Sequence, residues 1–185
     1  MSYLAFICIF AIAACGGATT TGSTTSSASG SSAAADSGAS VPAATHQDWT
    51  RFGWDVGRSG VAAAPTGIGA SNVASLHRQQ VNLDGTVDAS PIYLHAATVG
   101  GGTHDVFFVT TTYGKTIAID ADAGTILWEY TPPGTEALAG SRQITNSTPA
   151  ADPDRTAIYA ASPDGKIEKL AVADGHELWS TAITL

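Results

Sequence analysis

The chain has 185 residues and a formal net charge of −8, and only 13% of its residues are charged. This acidic balance argues against nucleic-acid partners and against electrostatic adhesion to anionic lipid. Its two cysteines, Cys8 and Cys15, both lie near the N-terminus, which excludes an intramolecular disulfide or a thiolate metal site from the rest of the chain.

The first 14 residues predict an export signal. Residues 1–14 carry no charge, and residues 4–12 form an apolar run. A bilayer span needs about 20 apolar residues, so this shorter run suits the apolar region of a signal peptide. It ends in Ile12-Ala13-Ala14-Cys15, which resembles a bacterial lipobox and implies lipidation and a mature N-terminus at Cys15. The alternative is an ordinary signal peptide followed by a chance cysteine.

Residues 15–46 predict a disordered tether. Between residues 16 and 45 nearly every residue is Ser, Thr, Gly or Ala, and Asp36 is the one charged residue. Such a segment has too little apolar mass to offset the entropy lost on ordering. Gly16 and Gly17 follow the lipobox cysteine where inner-membrane lipoproteins carry Asp. The lipoprotein resemblance therefore implies a lipid anchor in the outer membrane, facing the periplasm.

The remaining residues, 47–185, predict an all-β domain. Three aromatic residues between Trp49 and Trp54, punctuated by glycine, indicate an edge strand followed by a turn. The segment Ser71–Leu76 predicts one short helical turn capped by Ser71 or Asn72.

Strands and turns are predicted from Val81 onward. The continuous apolar run Val106–Val109 is typical of a strand buried on both faces. Residues 95–104, which include three consecutive glycines, are predicted to form a loop. The histidines show no metal-ligand spacing, and solvated loop positions are expected for all five: His46, His77, His95, His104 and His176. The first four strands are predicted at 89–94, 106–109, 116–120 and 125–130.

One segment of the chain is repeated. Residues 114–128 and 165–179 share a Gly-Lys pair, a strand-like run, an acidic turn ending in Gly, and a Leu-Trp pair, at an offset of 165 − 114 = 51 residues. A period near 50 with four short strands per unit is typical of β-propeller blades. A second set of strands is accordingly predicted at 147–150, 157–160, 167–171 and 177–183, giving blades at about 86–134 and 146–185.

The predicted domain is shorter than a closed propeller. Propellers close with about 4–8 blades, whereas residues 47–185 hold only two to three units of this length. We therefore expect an incomplete propeller, either the N-terminal piece of a longer reading frame or a truncated gene.

The repeat resembles the tryptophan-docking motif of pyrroloquinoline-quinone (PQQ) dehydrogenases and of the wider PQQ-like repeat propellers. The first copy matches at Ala118, Asp120, Gly124 and Trp128. The second copy matches at Gly175 and Trp179, whereas Lys169 and Ala171 replace its Ala and Asp. The resemblance implies a structural role in which each indole packs against the adjacent blade. Turn chemistry adds that Asp120 can accept backbone N–H bonds from the turn that Gly124 closes.

The same resemblance also suggests what the protein does. PQQ dehydrogenases carry a pair of adjacent cysteines after the first docking tryptophan, and no cysteine lies between Tyr130 and Pro149. We therefore expect a non-catalytic scaffold lipoprotein with protein partners in the cell envelope and no cofactor or metal, similar to the PQQ-like lipoproteins that assist outer-membrane barrel assembly.

Two alternatives stay open. The chain could supply the N-terminal blades of a periplasmic alcohol or sugar dehydrogenase that binds PQQ and calcium. Asp88 falls near the position of that family's acidic cofactor contact and is the candidate cofactor-binding residue. The other alternative is a fragment that has no function of its own.

Overall fold

The computed structural model describes residues 9–11 and 41–183. Cys15, the rest of the signal sequence and most of the proposed tether lie outside the described residues. A short strand, β1 (Ile9–Ala11), pairs antiparallel with β2 (His77–Gln79). In the described part of the chain no helix has the length and apolar character needed to cross a membrane.

Two four-stranded sheets make up the body of the structure. The first contains β3 (Ile92–Val99), β4 (Gly102–Thr110), β5 (Thr116–Asp120) and β6 (Ile126–Tyr130). The second contains β7 (Ala150–Ala151), β8 (Ala157–Ser162), β9 (Lys166–Ala171) and β10 (Glu177–Ala182). Both are antiparallel meanders in which chain order equals sheet order. The predicted all-β, partial-propeller architecture is confirmed.

The loop predicted at residues 95–104 is wrong. Strands β3 and β4 continue through this region and pair up to Val99 and Gly102. Gly100 and Gly101 form the connecting turn with φ values of 60° and 82°. A two-residue hairpin turn of type I′ needs positive φ at both positions, which glycine adopts without strain. The glycine run therefore makes a tight hairpin.

The start of the domain is also more irregular than predicted. Instead of an edge strand, Trp49 forms a single antiparallel bridge with Tyr93, with N···O distances of 2.7 and 2.9 Å. The chain turns directly afterwards, where Gly53 and Trp54 have φ values of 70° and 78°.

Among the described residues two helical turns occur, both of the 3-10 type, at Val73–Ser75 and Thr135–Leu138. Asn72 precedes the first, but its side chain makes no cap bond. Its Oδ1 instead accepts the Gly69 N–H at 2.8 Å. Asn72 therefore occupies the predicted N-cap position, but its side chain closes the preceding loop and does not cap the turn.

The first sheet is buried on both faces. Val106 and Phe108 point into the core between the two sheets, and Val109 points into a second cluster on the opposite face. This confirms the prediction for the apolar run Val106–Val109. The core between the sheets is contributed by both of them and includes Ile92, Leu94, Phe108, Ala118, Trp128, Ile158, Leu170 and Val172.

Trp128 joins the two sheets. It is 8% exposed, and its Nε1–H donates to the Val172 carbonyl at 2.9 Å. Gly175 lies under the ring, because a Cβ added there would come within 2.4 Å of the Trp128 Cε3 atom. Gly175 also has a φ of 75°, so a side chain would meet both the ring and backbone strain.

The same arrangement occurs one repeat earlier with another residue. A Cβ on Gly124 would come within 2.6 Å of the Gln79 Nε2 atom. That Nε2 donates to the Asp122 carbonyl at 3.1 Å. Gln79 thus covers Gly124 as Trp128 covers Gly175. Trp179, the counterpart of Trp128 in the second sheet, is 43% exposed.

We predict that Trp128→Ala lowers the free energy of unfolding by about 3–5 kcal/mol, because a buried aromatic side chain is removed without refilling its space. Trp179→Ala is the matched control, since it removes the same side chain from the same repeat position where the ring is far more exposed, and should cost much less. Urea unfolding of both variants measures the difference. Equal losses would contradict the assignment of Trp128 as the inter-sheet anchor.

Candidate functional site

A groove lies between the first sheet and the segment that precedes it. Residues 41–67 and the sheet enclose an open cavity of about 1110 Å³. The Thr45 N–H donates to the Pro65 carbonyl at 3.1 Å, so the last residues of the proposed tether take part in this wall. Concave surfaces with aromatic walls and a few polar groups are typical of binding sites. The aromatic lining consists of Trp49, Phe52, Trp54, Tyr93 and Phe107.

Asp105, on β4, is the main polar group of this groove. Its Oδ2 accepts the Tyr93 hydroxyl at 2.7 Å, and its Oδ1 lies 2.7 Å from His95 Nδ1 and accepts the Ala96 N–H at 2.8 Å. Burial opposes ionisation, but these bonds, from Ala96 first, outweigh it and hold the pKa of Asp105 below its usual value. Burial, helped by the bond to Asp105, raises the pKa of Tyr93.

A β-bulge aims His95 at this carboxylate. The pairing of β3 with β4 shifts register between Leu94 and Ala97, and Ala96 has a φ of 47°. Bulges redirect side chains at the cost of local strain, and both features concentrate at functional sites. The consequence is that the side chain of His95 and the N–H of Ala96 both reach the same oxygen of Asp105.

His46 approaches the same carboxylate from residues 41–48, which we call the N-terminal arm. Its Nδ1 lies 3.6 Å from Asp105 Oδ2, and its ring stacks on that of His95 with centroids 4.7 Å apart. Two histidines distant in sequence therefore meet at one carboxylate. The predicted solvated loop position is correct for His46, which is exposed in an irregular segment, and wrong for His95, which lies on β3.

An ion pair to the second sheet supports the arrangement. Asp48 Oδ1 accepts the His95 N–H at 2.8 Å, and its Oδ2 lies 2.8 Å from Arg155 Nε. The Arg155 guanidinium also donates to the His95 carbonyl. Because Arg155 lies in the turn between β7 and β8, the bulge is held by both sheets.

The other docking-motif residues lie along the far strands of the first sheet. Ala118 is fully buried and pairs with Trp128 across the β5/β6 ladder. Asp120 Oδ1 accepts the N–H groups of Asp122 and Ala123 at 2.9 and 2.7 Å, which is the contact predicted from the turn chemistry.

His104 adds a contact to Asp120 that the sequence did not suggest. Its Nδ1 lies 2.7 Å from Asp120 Oδ2. Burial opposes ionisation of Asp120, but the bonds from Ala123, His104 and Asp122 outweigh it and lower its pKa. Asp120 is thus a turn-stabilising carboxylate with no free oxygen.

Asp88 stands apart from both the groove and the motif. It is exposed and lies in the irregular segment before β3. Its assignment as a cofactor contact stays a prediction, as does the lipidation of Cys15.

A second carboxylate, Glu168 on β9, is buried between the sheets. It is 2% exposed, and its Oε2 has no hydrogen-bond partner among the described residues. Glu168 shares its strand face with Leu170, which belongs to the inter-sheet core. Burial raises the pKa of Glu168, against a smaller opposing effect of a hydrogen bond from Ser162.

Fold and repeat together define the class of protein, a partial β-propeller built from PQQ-like repeats. Residues 54–184 match the PQQ_2 family, described as outer membrane protein assembly factor BamB. That match covers well over half of the chain, and the chain belongs to this family. No curated protein matches the sequence.

Two solved structures are similar to the chain. Quinohemoprotein alcohol dehydrogenase from Comamonas testosteroni is 24% identical with a TM-score of 0.54, over 72% of this chain and 19% of its own. BamB from Moraxella catarrhalis is 18% identical with a TM-score of 0.39, over 58% of this chain and 27% of its own. The first likeness supports the fold alone, and the second is too distant to add to it. The chain thus spans about a fifth to a quarter of these proteins.

We predict that Glu168→Gln becomes progressively more stable relative to the native chain as pH rises. A raised pKa means that the stability contributed by Glu168 is fully present below the unfolded value of about 4.3 and is lost as pH rises through the folded value. The glutamine cannot ionise and escapes this loss, which amounts to about 1.4 kcal/mol for each pKa unit of the shift.

Glu177→Gln is the control, because the hydrogen bond from Tyr130 lowers the pKa of Glu177. Its contribution is present above the unfolded value and is lost as pH falls, so this variant should show the opposite trend. Urea unfolding between about pH 3 and 8 measures both, with the Glu168→Gln trend at the upper end of this range and the Glu177→Gln trend below about pH 5. A Glu168→Gln difference that does not change with pH would contradict the prediction.

Proposed function

We propose that the chain belongs to an exported, lipid-anchored propeller that acts as a non-catalytic binding and scaffold module at the periplasmic side of the outer membrane. The observation that carries the proposal is the family match over residues 54–184, whose description names an outer-membrane protein assembly factor. In this reading the chain holds a partner protein in place and performs no reaction of its own.

The groove supports a binding role. Five aromatic side chains line it, and Asp105 and Asp122 place carboxylates at its wall. Aromatic residues supply large contact areas at low entropic cost and are enriched in protein interfaces. With a net charge of −8, the chain favours partner segments that combine apolar and basic side chains.

A mature N-terminus at Cys15 would remove β1 (Ile9–Ala11) and its pairing with β2, and the tether would then enter the domain at the groove. Acyl chains on Cys15 would bury in the membrane at about 0.8 kcal/mol per CH₂ group. The proposed tether up to residue 40 would then separate the lipid from the domain by roughly 25–30 Å, the r.m.s. span of a Gly/Ser-rich linker of that length. Since residues 41–46 form part of the groove wall, the tether would lead from the membrane directly to the binding surface.

The alternative is that the chain supplies blades of a PQQ- and calcium-dependent dehydrogenase. The fold likeness to a quinohemoprotein alcohol dehydrogenase and the exposed carboxylate of Asp88 ahead of β3 favour it. Asp88 would then contact the cofactor at one end of the first sheet.

Adding PQQ and Ca²⁺ to the purified full-length protein distinguishes the two functions. We expect no bound-quinone absorbance and no alcohol-dependent dye reduction, and Asp88→Asn should behave like the native chain. One equivalent of bound quinone that is lost in Asp88→Asn would overturn the scaffold proposal.

The anchor is checked separately by membrane fractionation of cells that express the protein. The native protein should sediment with membranes, and Cys15→Ser should be released into the soluble fraction. A native protein found in the soluble fraction would contradict the proposed anchor without bearing on the cofactor test.

A further inference from the structure

We propose that His46, His95 and Asp105 form a binding site for a divalent transition-metal ion of the zinc class, and that the ion fastens the N-terminal arm to the first sheet. One potential ligand atom from each residue lies within 4.8 Å of the other two. This inference does not rest on the proposed function.

The donor set suits such an ion. Two imidazoles and one carboxylate are a recurrent protein set for Zn²⁺, which leaves one position for water or another ligand. Imidazole nitrogen also binds Cu²⁺ and Ni²⁺, whereas Mg²⁺ and Ca²⁺ prefer oxygen ligands. His46 and Asp105 both line the groove, so the remaining position can be reached from it.

The spacing of the ligands is close to what the ion needs. Bonds of about 2.1 Å in a tetrahedral site place neighbouring ligand atoms roughly 3.4 Å apart. His95 Nδ1 lies 2.7 Å from Asp105 Oδ1, His46 Nδ1 lies 3.6 Å from Asp105 Oδ2, and one potential ligand atom of each residue lies within 4.8 Å of the others. Metal binding at His95 Nδ1 would displace the proton shared with Asp105, which in the neutral imidazole moves to Nε2, and would require side-chain shifts of about an ångström.

Surrounding groups hold these ligands in place. The Tyr93 hydroxyl and the Ala96 N–H fix the orientation of the Asp105 carboxylate, and Asp48 fixes the backbone of His95. Such outer contacts orient metal ligands and tune their affinity. The cation of Arg155 is already paired with Asp48, which leaves the charge of Asp105 available to the metal.

The ion would connect parts of the chain that are far apart in sequence. His46 belongs to the arm at the end of the proposed tether, whereas His95 and Asp105 lie on β3 and β4. The arm is held to β3 by side-chain contacts such as the 2.8 Å bond between Asp48 and His95, next to the backbone bridge between Trp49 and Tyr93. A metal bond to His46 would thus add a direct link between the arm and the first sheet.

Titration of the full chain with Zn²⁺ alone by calorimetry, and with Co²⁺ alone by visible absorbance, tests the site. We expect one equivalent to bind with micromolar or tighter affinity and with Co²⁺ bands of a low-coordinate nitrogen and oxygen site. His46→Ala should weaken binding at least tenfold. This loss can be distinguished from unfolding, because the His46 side chain is 57% exposed and its removal leaves no buried cavity.

His176→Ala is the matched control. His176 is 59% exposed and lies 2.6 Å from Asp174, so it is also a histidine paired with a carboxylate, but it is outside the proposed site. Its removal should leave the affinity within twofold of the native value. The inference is overturned if the native chain binds no Zn²⁺ below millimolar concentration, if His46→Ala binds as tightly as the native chain, or if His176→Ala loses as much affinity.

Discussion

The packing of the Trp128 indole on Gly175 is the contact on which the two-sheet structure depends. A strand meander has an apolar face that must be covered, and neighbouring blades meet that need in propellers. Here the contact combines a large ring, a glycine that leaves room for it, and a hydrogen bond from the indole to the Val172 carbonyl. Ring, glycine and carbonyl together fix how the second sheet lies on the first.

The equivalent glycine of the first sheet, Gly124, is covered by a different residue. Gln79 covers Gly124 at the start of the structure, so the first sheet has a cover that comes from outside the repeat. Trp179 repeats the position of Trp128 with 43% of its surface exposed. The tryptophan of the repeat thus occurs in two environments: Trp128 is buried by the next sheet, whereas Trp179 is largely exposed.

Contacts outside the repeat add a second connection between the sheets. Arg155 in the second sheet binds Asp48 of the arm and the carbonyl of His95 in the first. These residues surround the bulge that carries His95, and Asp105 collects the hydrogen bonds of that bulge. The groove therefore lies on the side of the first sheet where the arm enters. Its main polar group, Asp105, is held in place by residues that lie outside the repeat.

The sequence was sufficient for the architecture because a fixed period and a turn chemistry repeat in it. Period, strand count and the roles of residues such as Asp120 follow from local patterns. The site at Asp105 could not be predicted in this way, since His46 and His95 come together through a hairpin and a bulge. The hairpin alone could have been predicted from Gly100 and Gly101, because adjacent glycines between β-forming residues also indicate a two-residue hairpin turn.

Hydrogen exchange of the tryptophan indoles, followed by NMR on the full chain, tests the central role of Trp128 most directly. A buried, hydrogen-bonded N–H exchanges only when the structure opens. The account predicts that the Trp128 indole exchanges as slowly as the amides of β4 and β8, while the Trp179 indole exchanges far faster. Equally fast exchange at both indoles would contradict it.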